Sequence, residues 1–119
     1  MTKVAFSAAL AFAATVAAAE TRWIASEVAV LQALDKVTAR TTVLEARRGE
    51  RVAFGTLEIV VEACHRRPPD ERPDAAAWLS VVDRRLGPNA VFSGWIFAAA
   101  PAVNMLEHAV YDLRVLACR

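Results

Sequence analysis

The chain has 119 residues, of which 56% are hydrophobic and 23% are charged. This composition is typical of a folded protein and excludes a disordered one, and the length allows a single small domain. The 14 basic residues face 13 acidic ones, and Lys3 is the only charge in positions 1–19, so residues 20–119 carry 14 − 1 = 13 charges of each sign. A neutral domain lacks the basic field that nucleic-acid binding needs, so we expect no nucleic-acid partner.

The first 19 residues have the pattern of a secretory signal peptide. Lys3 gives a short positive start, Val4–Val16 carries no charge, and alanines at 17–19 precede the expected cut. The pattern predicts an N-terminal signal helix at 1–19 that is cleaved, followed by one exported, periplasmic β-rich domain at 20–119. The alternative is a retained anchor, but the apolar run is shorter than the roughly 20 residues that span a bilayer. We therefore expect no stable membrane insertion after signal cleavage.

Strand signals dominate the exported part of the chain. The stretch 24–34 is ambiguous, because Val28, Leu31 and Leu34 have helical spacing behind Ser26, yet the same run is compatible with a buried strand, which we favour. Turn signals punctuate the rest. These are Gly49 within 47–50, the proline-rich loop 66–74 and Gly87-Pro88-Asn89. Further strands are predicted at 37–46, 51–54, 56–63, 75–83, 90–98 and 110–118, with one helical turn within 102–108.

Alternation assigns the side chains of these strands to two faces. Leu57, Ile59, Val61 and Ala63 are predicted on one face with Glu58 and Glu62 opposite, and Tyr111, Leu113, Val115 and Ala117 share a face of the last strand. Six to eight short strands in one small domain predict an all-β fold, a small antiparallel β-sandwich or open barrel.

The exported part contains two cysteines, Cys64 and Cys118. An even count in a small exported domain predicts a disulfide between them, with two buried free thiols as the alternative.

Several residue types are capable of chemistry, but their spacing argues against it. Cys64, His65, His108 and Cys118 are zinc-ligand types, yet neighbours on a strand point to opposite faces and no Cys-x2-Cys spacing is present. We expect no metal and no cofactor. Ser93 with His108 and Glu107 offers a set for a small envelope-polymer hydrolase or isomerase, but the Gly-x-Ser-x-Gly elbow is missing.

Arginine pairs at turns are the most unusual feature. Arg presents a planar fork that suits carboxylates and phosphates, although turns also accept any solvated charge. Trp95 and Phe97 share a strand face, with Phe92 on the other, and form either an exposed patch or part of the core. The candidate interaction surface comprises Arg47, Arg48, His65, Arg66, Arg67, Arg84, Arg85, Trp95 and His108.

Five motifs in order resemble one family. They are 33–40 (ALDKVTAR), 54–59 (FGTLEI), 63–69 (ACHRRPP), 92–98 (FSGWIFA) and 106–112 (LEHAVYD), with Cys118 at the end. The chain resembles domain-of-unknown-function family 2155, small exported alphaproteobacterial proteins. The resemblance implies a single periplasmic domain and brings no activity, cofactor or substrate with it. Ala109 departs from the proline expected at that position.

These observations favour a periplasmic, non-enzymatic binding or accessory module of the cell envelope. It would contact an envelope component or a protein through its arginine-rich turns and the loop 66–74. A structural subunit of an envelope assembly is a further alternative, and an exposed apolar patch around Trp95 would favour it.

Overall fold

The computed structural model describes residues 2–5, 7–11 and 22–119. In this part of the chain, all regular structure apart from one short 3-10 helix, Pro101–Val103, is β-strand. The strands are β1 (Ile24–Ala25), β2 (Val28–Asp35), β3 (Arg40–Arg47), β4 (Arg51–Phe54), β5 (Leu57–Arg66), β6 (Ala75–Asp83), β7 (Ala90–Phe97) and β8 (Tyr111–Cys118).

The described parts of the N-terminal segment are not helical. Residues 2–5 and 7–11 are exposed and carry no regular structure, so the predicted signal helix is wrong for these residues. An isolated helix of this length is marginal in water without a packing partner. The expected cut after position 19 lies outside the described residues. Within the described ranges, no helix is sufficiently long and apolar to cross a membrane.

The strands form two antiparallel sheets that pack face to face. The first has the order β1-β5-β6-β7, with β4 paired to β5 beside β1, and the second has the order β3-β2-β8. The predicted all-β fold is therefore confirmed, as two separate sheets. The core between them is aliphatic, because inward positions of both sheets carry small and branched side chains. Its largest members are Leu31, Leu57, Ile59, Leu79, Ile96 and Leu113.

The ambiguous stretch before residue 35 is a strand, as favoured. Ala29, Leu31 and Ala33 of β2 are fully buried, and the alternate positions are partly exposed. Since β2 lies between β3 and β8, it is the central strand of the second sheet. Its neighbours cover its two edges, and its buried face packs into the core between the sheets.

The next strand begins three residues later than predicted, at Arg40 rather than at 37. The Asp35 Oδ1 atom accepts hydrogen bonds from the backbone N–H groups of Val37 (2.9 Å) and Thr38 (3.2 Å). Ala39 then has a φ of 58°. The side chain of Asp35 therefore closes a turn. The β-branched residues Val37 and Thr38 in this turn favour strands, so the sequence alone does not indicate it.

The predicted face of β5 is wrong at its end because the strand contains a bulge. Val61 pairs with Leu79 and Ala63 pairs with Trp78, so Glu62 has no partner on β6. The extra residue shifts the alternation by one. Ala63 consequently leaves the core face, and Cys64 enters the core with 1% exposure.

A second bulge acts in the same way on β8. Val115 pairs with Leu31 and Ala117 with Val30, so Leu116 is the extra residue. Ala117 is exposed, contrary to the predicted face, and Cys118 is buried. Without these two bulges, alternation would direct both cysteines away from the core.

The predicted disulfide joins Cys64 and Cys118, whose Cα atoms are 5.7 Å apart. It connects β5 of the first sheet to β8 of the second. The covalent link therefore crosses the core and holds the two layers together.

Candidate functional site

All three tryptophans lie on the outer face of the first sheet. Trp23, Trp78 and Trp95 are each partly exposed, whereas in the described part of the chain Tyr111 is the single aromatic residue of the buried core. Large aromatic residues usually supply core packing in a small domain. Their placement outside the core marks this face as the principal candidate for binding.

Two rows of paired residues cross this face. Directly paired residues on antiparallel strands share a face. His65, Ala76 and Phe97 form one row, and Ala63, Trp78 and Trp95 form the next. The alanine at 76 leaves a depression between larger neighbours.

The depression is a cleft of about 290 Å³, which we call the aromatic cleft. It is open to solvent at the sheet surface. Its lining comprises Trp23, His65, Ala76, Trp95 and Phe97. Phe92 lies elsewhere and packs against the core, so the predicted division of the β7 aromatics between two faces is confirmed.

Trp95 is held by two edge-to-face contacts. Its ring centroid lies 5.7 Å from that of Trp78, at an interplanar angle of 90°, and 5.6 Å from that of His65, at 63°. Aromatic pairs in this arrangement contribute about 0.5–1.5 kcal/mol beyond burial. The indole is therefore fixed before any partner arrives.

Trp23, the residue directly before β1, forms the N-terminal wall of the cleft. The pairing of Ile24 with Arg66 anchors β1 beside the end of β5. The Arg67 guanidinium lies 3.9 Å from the centroid of the Trp23 ring, and its Nη1 atom is 3.9 Å from the Glu71 Oε2 atom. A cation–π contact thus holds this wall in place.

The predicted arginine pairs do not form one surface. The 66–67 pair lies where β5 meets the start of β6, and the 84–85 pair follows the far end of β6, which is about 26 Å away at about 3.3 Å per residue. Arg48 forms an ion pair with Glu27 (3.5 Å), and Arg84 Nη2 donates to the Gly55 carbonyl (2.9 Å). Of the predicted residues, the structure brings His65, Arg67 and Trp95 together around the cleft.

His108 lies apart from the cleft, in a largely buried pair with Asp83. Its Nδ1 atom accepts hydrogen bonds from the backbone N–H groups of Val110 (2.9 Å) and Tyr111 (3.2 Å). We therefore assign the proton to Nε2, which donates to Asp83 Oδ2 at 2.8 Å. This bond, followed by that from the Arg85 amide, lowers the pKa of Asp83 below its ordinary value.

The hydrogen bond between His108 and Asp83 joins the segment before β8 to the end of β6, and we call this pair the clamp. Both ring nitrogens of His108 are engaged, so neither is free to take a proton from a nucleophile. Ser93 lies on β7 opposite Ser80, and no hydrogen bond joins Ser93 or Glu107 to His108 in the described part of the chain. Across residues 2–5, 7–11 and 22–119, no group of three His, Cys, Asp or Glu side chains could hold a metal ion.

Sequence reasoning missed three residues of these sites. Trp23 precedes every strong strand signal, and Ala76 is one of three successive alanines, so neither stands out. The hydrogen bond between Asp83 and His108 joins residues 25 positions apart, so no local sequence pattern predicts it.

The comparison with protein-family models identifies the family of this chain. The model of domain-of-unknown-function family 2155, described as an uncharacterized protein conserved in bacteria, matches residues 29–118. An uncharacterized protein of Rickettsia prowazekii (strain Madrid E) is 23% identical over 88 residues, which cover 72% of this chain and 57% of that protein. This chain therefore matches little more than half the length of that relative, and no solved structure matches it. The chain belongs to domain-of-unknown-function family 2155.

Proposed function

We propose that this chain is an exported, non-enzymatic binding or accessory module of the cell envelope and that the aromatic cleft holds its partner. The observation that carries the proposal is the placement of all three tryptophans on the outer face of one sheet. Aromatic side chains that are partly exposed and already fixed by their neighbours are typical of binding hot spots. The cleft replaces the arginine-rich turns as the expected contact surface.

Export is supported by two separate features. The pattern of residues 1–19 is that of a signal peptide, and the only two cysteines are joined in a disulfide. Structural disulfides persist in oxidising compartments such as the periplasm. Intact-mass measurement of the chain recovered from the periplasmic fraction should give an N-terminus at Glu20. A full-length chain found with the cytosolic fraction would contradict export.

Photocrosslinking in intact cells tests the role of the cleft. A photoreactive residue at Phe97, which lines the cleft, is expected to give a defined adduct, because a bound partner lies against that side chain. The same residue at Leu86, which is 72% exposed at the remote β6–β7 turn, is the matched control and should give none. Equal adducts at both positions, or none at Phe97, would refute the proposal.

A structural-subunit role remains the second candidate, since the same aromatic face is suited to a subunit interface. The crosslinking experiment separates the two. An adduct with a fixed assembly component in constant proportion favours the subunit, whereas an adduct that free ligand displaces favours the binding module.

A further inference from the structure

We infer that the aromatic cleft binds an alkylated ammonium group, such as the trimethylammonium end of a choline-type molecule. The inference deepens the proposed binding role and rests on it. Three of the five lining residues, Trp23, Trp95 and Phe97, carry rings of the kind that attract cations, and His65 and Ala76 complete the lining. The faces of such rings carry negative potential, and several of them around one cation form the cages that recognise quaternary ammonium groups.

Two walls of the cleft, Trp95 and His65, are inclined to each other, as a cage requires. The Trp95 ring is inclined at 63° to His65 and is backed at 90° by Trp78. Trp23 forms a wall from the residue directly before β1, and Phe97 forms one from the end of β7. Trp95 and His65 at this angle cannot both stack on one flat ligand, but they can contact a compact, rounded one.

The lining side chains carry no acceptor oxygens, and this narrows the class of ligand that fits the cleft. None of these five residues carries a carboxylate, hydroxyl or amide side chain. A primary ammonium or a sugar would lose hydrogen bonds on entering, at a cost of about 1–3 kcal/mol for each unpaired group. A trimethylammonium group has no N–H to leave unpaired, and a cleft of about 290 Å³ is at the small end of ligand pockets.

Charges of both signs lie beside the Trp23 wall of the cleft. Arg22 and Arg67 lie near Trp23, and so do Asp70 and Glu71, so the two charges of each sign balance. The guanidinium of Arg67 already lies 3.9 Å from the Trp23 centroid. One soft cation of the chain itself therefore occupies an aromatic face at this site.

The direct test compares choline with neohexanol, its uncharged carbon isostere, by tryptophan fluorescence and calorimetry. All three indoles lie on this face, so they report occupancy. Choline should bind about tenfold more tightly, since cation–π contacts to two or three rings add attraction that the isostere lacks. Equal affinities would show a merely apolar pocket, and no choline binding would equally overturn the inference.

Two variants locate the site. Trp95→Leu keeps an apolar side chain but removes a ring, and it should weaken choline binding by about fivefold or more. Trp23→Leu, directly before β1 and outside the core, serves the same purpose if the first variant does not fold. Leu86→Ala at the remote turn is the control and should bind like the parent chain. Unchanged affinity in a folded cleft variant would refute the site.

Vesicles distinguish a lipid headgroup from a free solute. Choline binding together with retention on phosphatidylcholine vesicles, but not on phosphatidylglycerol vesicles, would identify a headgroup ligand. Choline binding without retention would identify a free small molecule. If choline fails while the Phe97 crosslink forms, the ligand class is wrong and the proposed binding role stands.

Discussion

The disulfide is expected to contribute a large part of the stability of this domain. Replacing both cysteines by alanine, Cys64→Ala with Cys118→Ala, opens a loop with a sequence separation of 54. The loop-closure relation gives about 14 cal/mol/K for that length, or about 4 kcal/mol at 25 °C. Small domains have only about 5–15 kcal/mol in total, so the variant should be marginal. Its melting temperature should fall by roughly 15–30 °C.

Urea denaturation followed by circular dichroism measures this loss. The parent chain in strong reductant is the matched comparison and should approach the double variant, because both lack the same link. A loss below about 1 kcal/mol would refute the reasoning, since the covalent link would then add little to the packing of the two sheets.

Three further perturbations test the fold. Gly55 and Gly49 both have positive φ, 56° and 83°, but of the two only Gly55 would place a Cβ against the ring of Tyr111. Gly55→Ala should therefore lower the free energy of unfolding, measured in urea, by at least about 1 kcal/mol more than Gly49→Ala does. Equal losses of stability would contradict the close approach of Gly55 to Tyr111. The pKa of Asp83 is lowered in the folded state, so its contribution to stability is complete above its ordinary pKa of 3.8 and is lost as the pH falls through the folded value. Asp83→Asn should flatten this loss of stability at acid pH. An unchanged dependence of stability on pH would contradict the clamp. Deletion of Glu62 removes the unpaired residue of the β5 bulge but keeps Ala63 opposite Trp78 and Cys64 opposite Ala77, so mass spectrometry should still show the disulfide, whereas free thiols would contradict this register.

Local turn chemistry made much of the fold predictable. Gly49 adopts the positive φ expected of a turn, and the loop that contains Pro68, Pro69 and Pro73 separates β5 from β6 as expected. The predicted strand at 75–83 agrees with β6. In each case the signal lies within a few residues of the feature, where backbone restrictions act directly.

The bulges and the site depend on contacts that the sequence does not display. A simple alternation of faces does not allow for the extra residue at Glu62 or Leu116. It therefore places the residues at the ends of β5 and β8 on the wrong faces. The outer position of Trp78 and Trp95 was equally hidden, because β6 and β7 carry apolar side chains on both faces. Only the packing of the second sheet decides which face becomes the core.

The most direct test of the central claim follows the three indole N–H signals by heteronuclear NMR. The detergent-free soluble fraction of the envelope is added to the labelled chain, with a cytosolic fraction as the control. The account predicts selective shifts or broadening of the Trp23 and Trp95 signals with the envelope fraction, since both rings line the cleft. Unchanged indole signals, together with shifts confined to the arginine-rich turns, would contradict it.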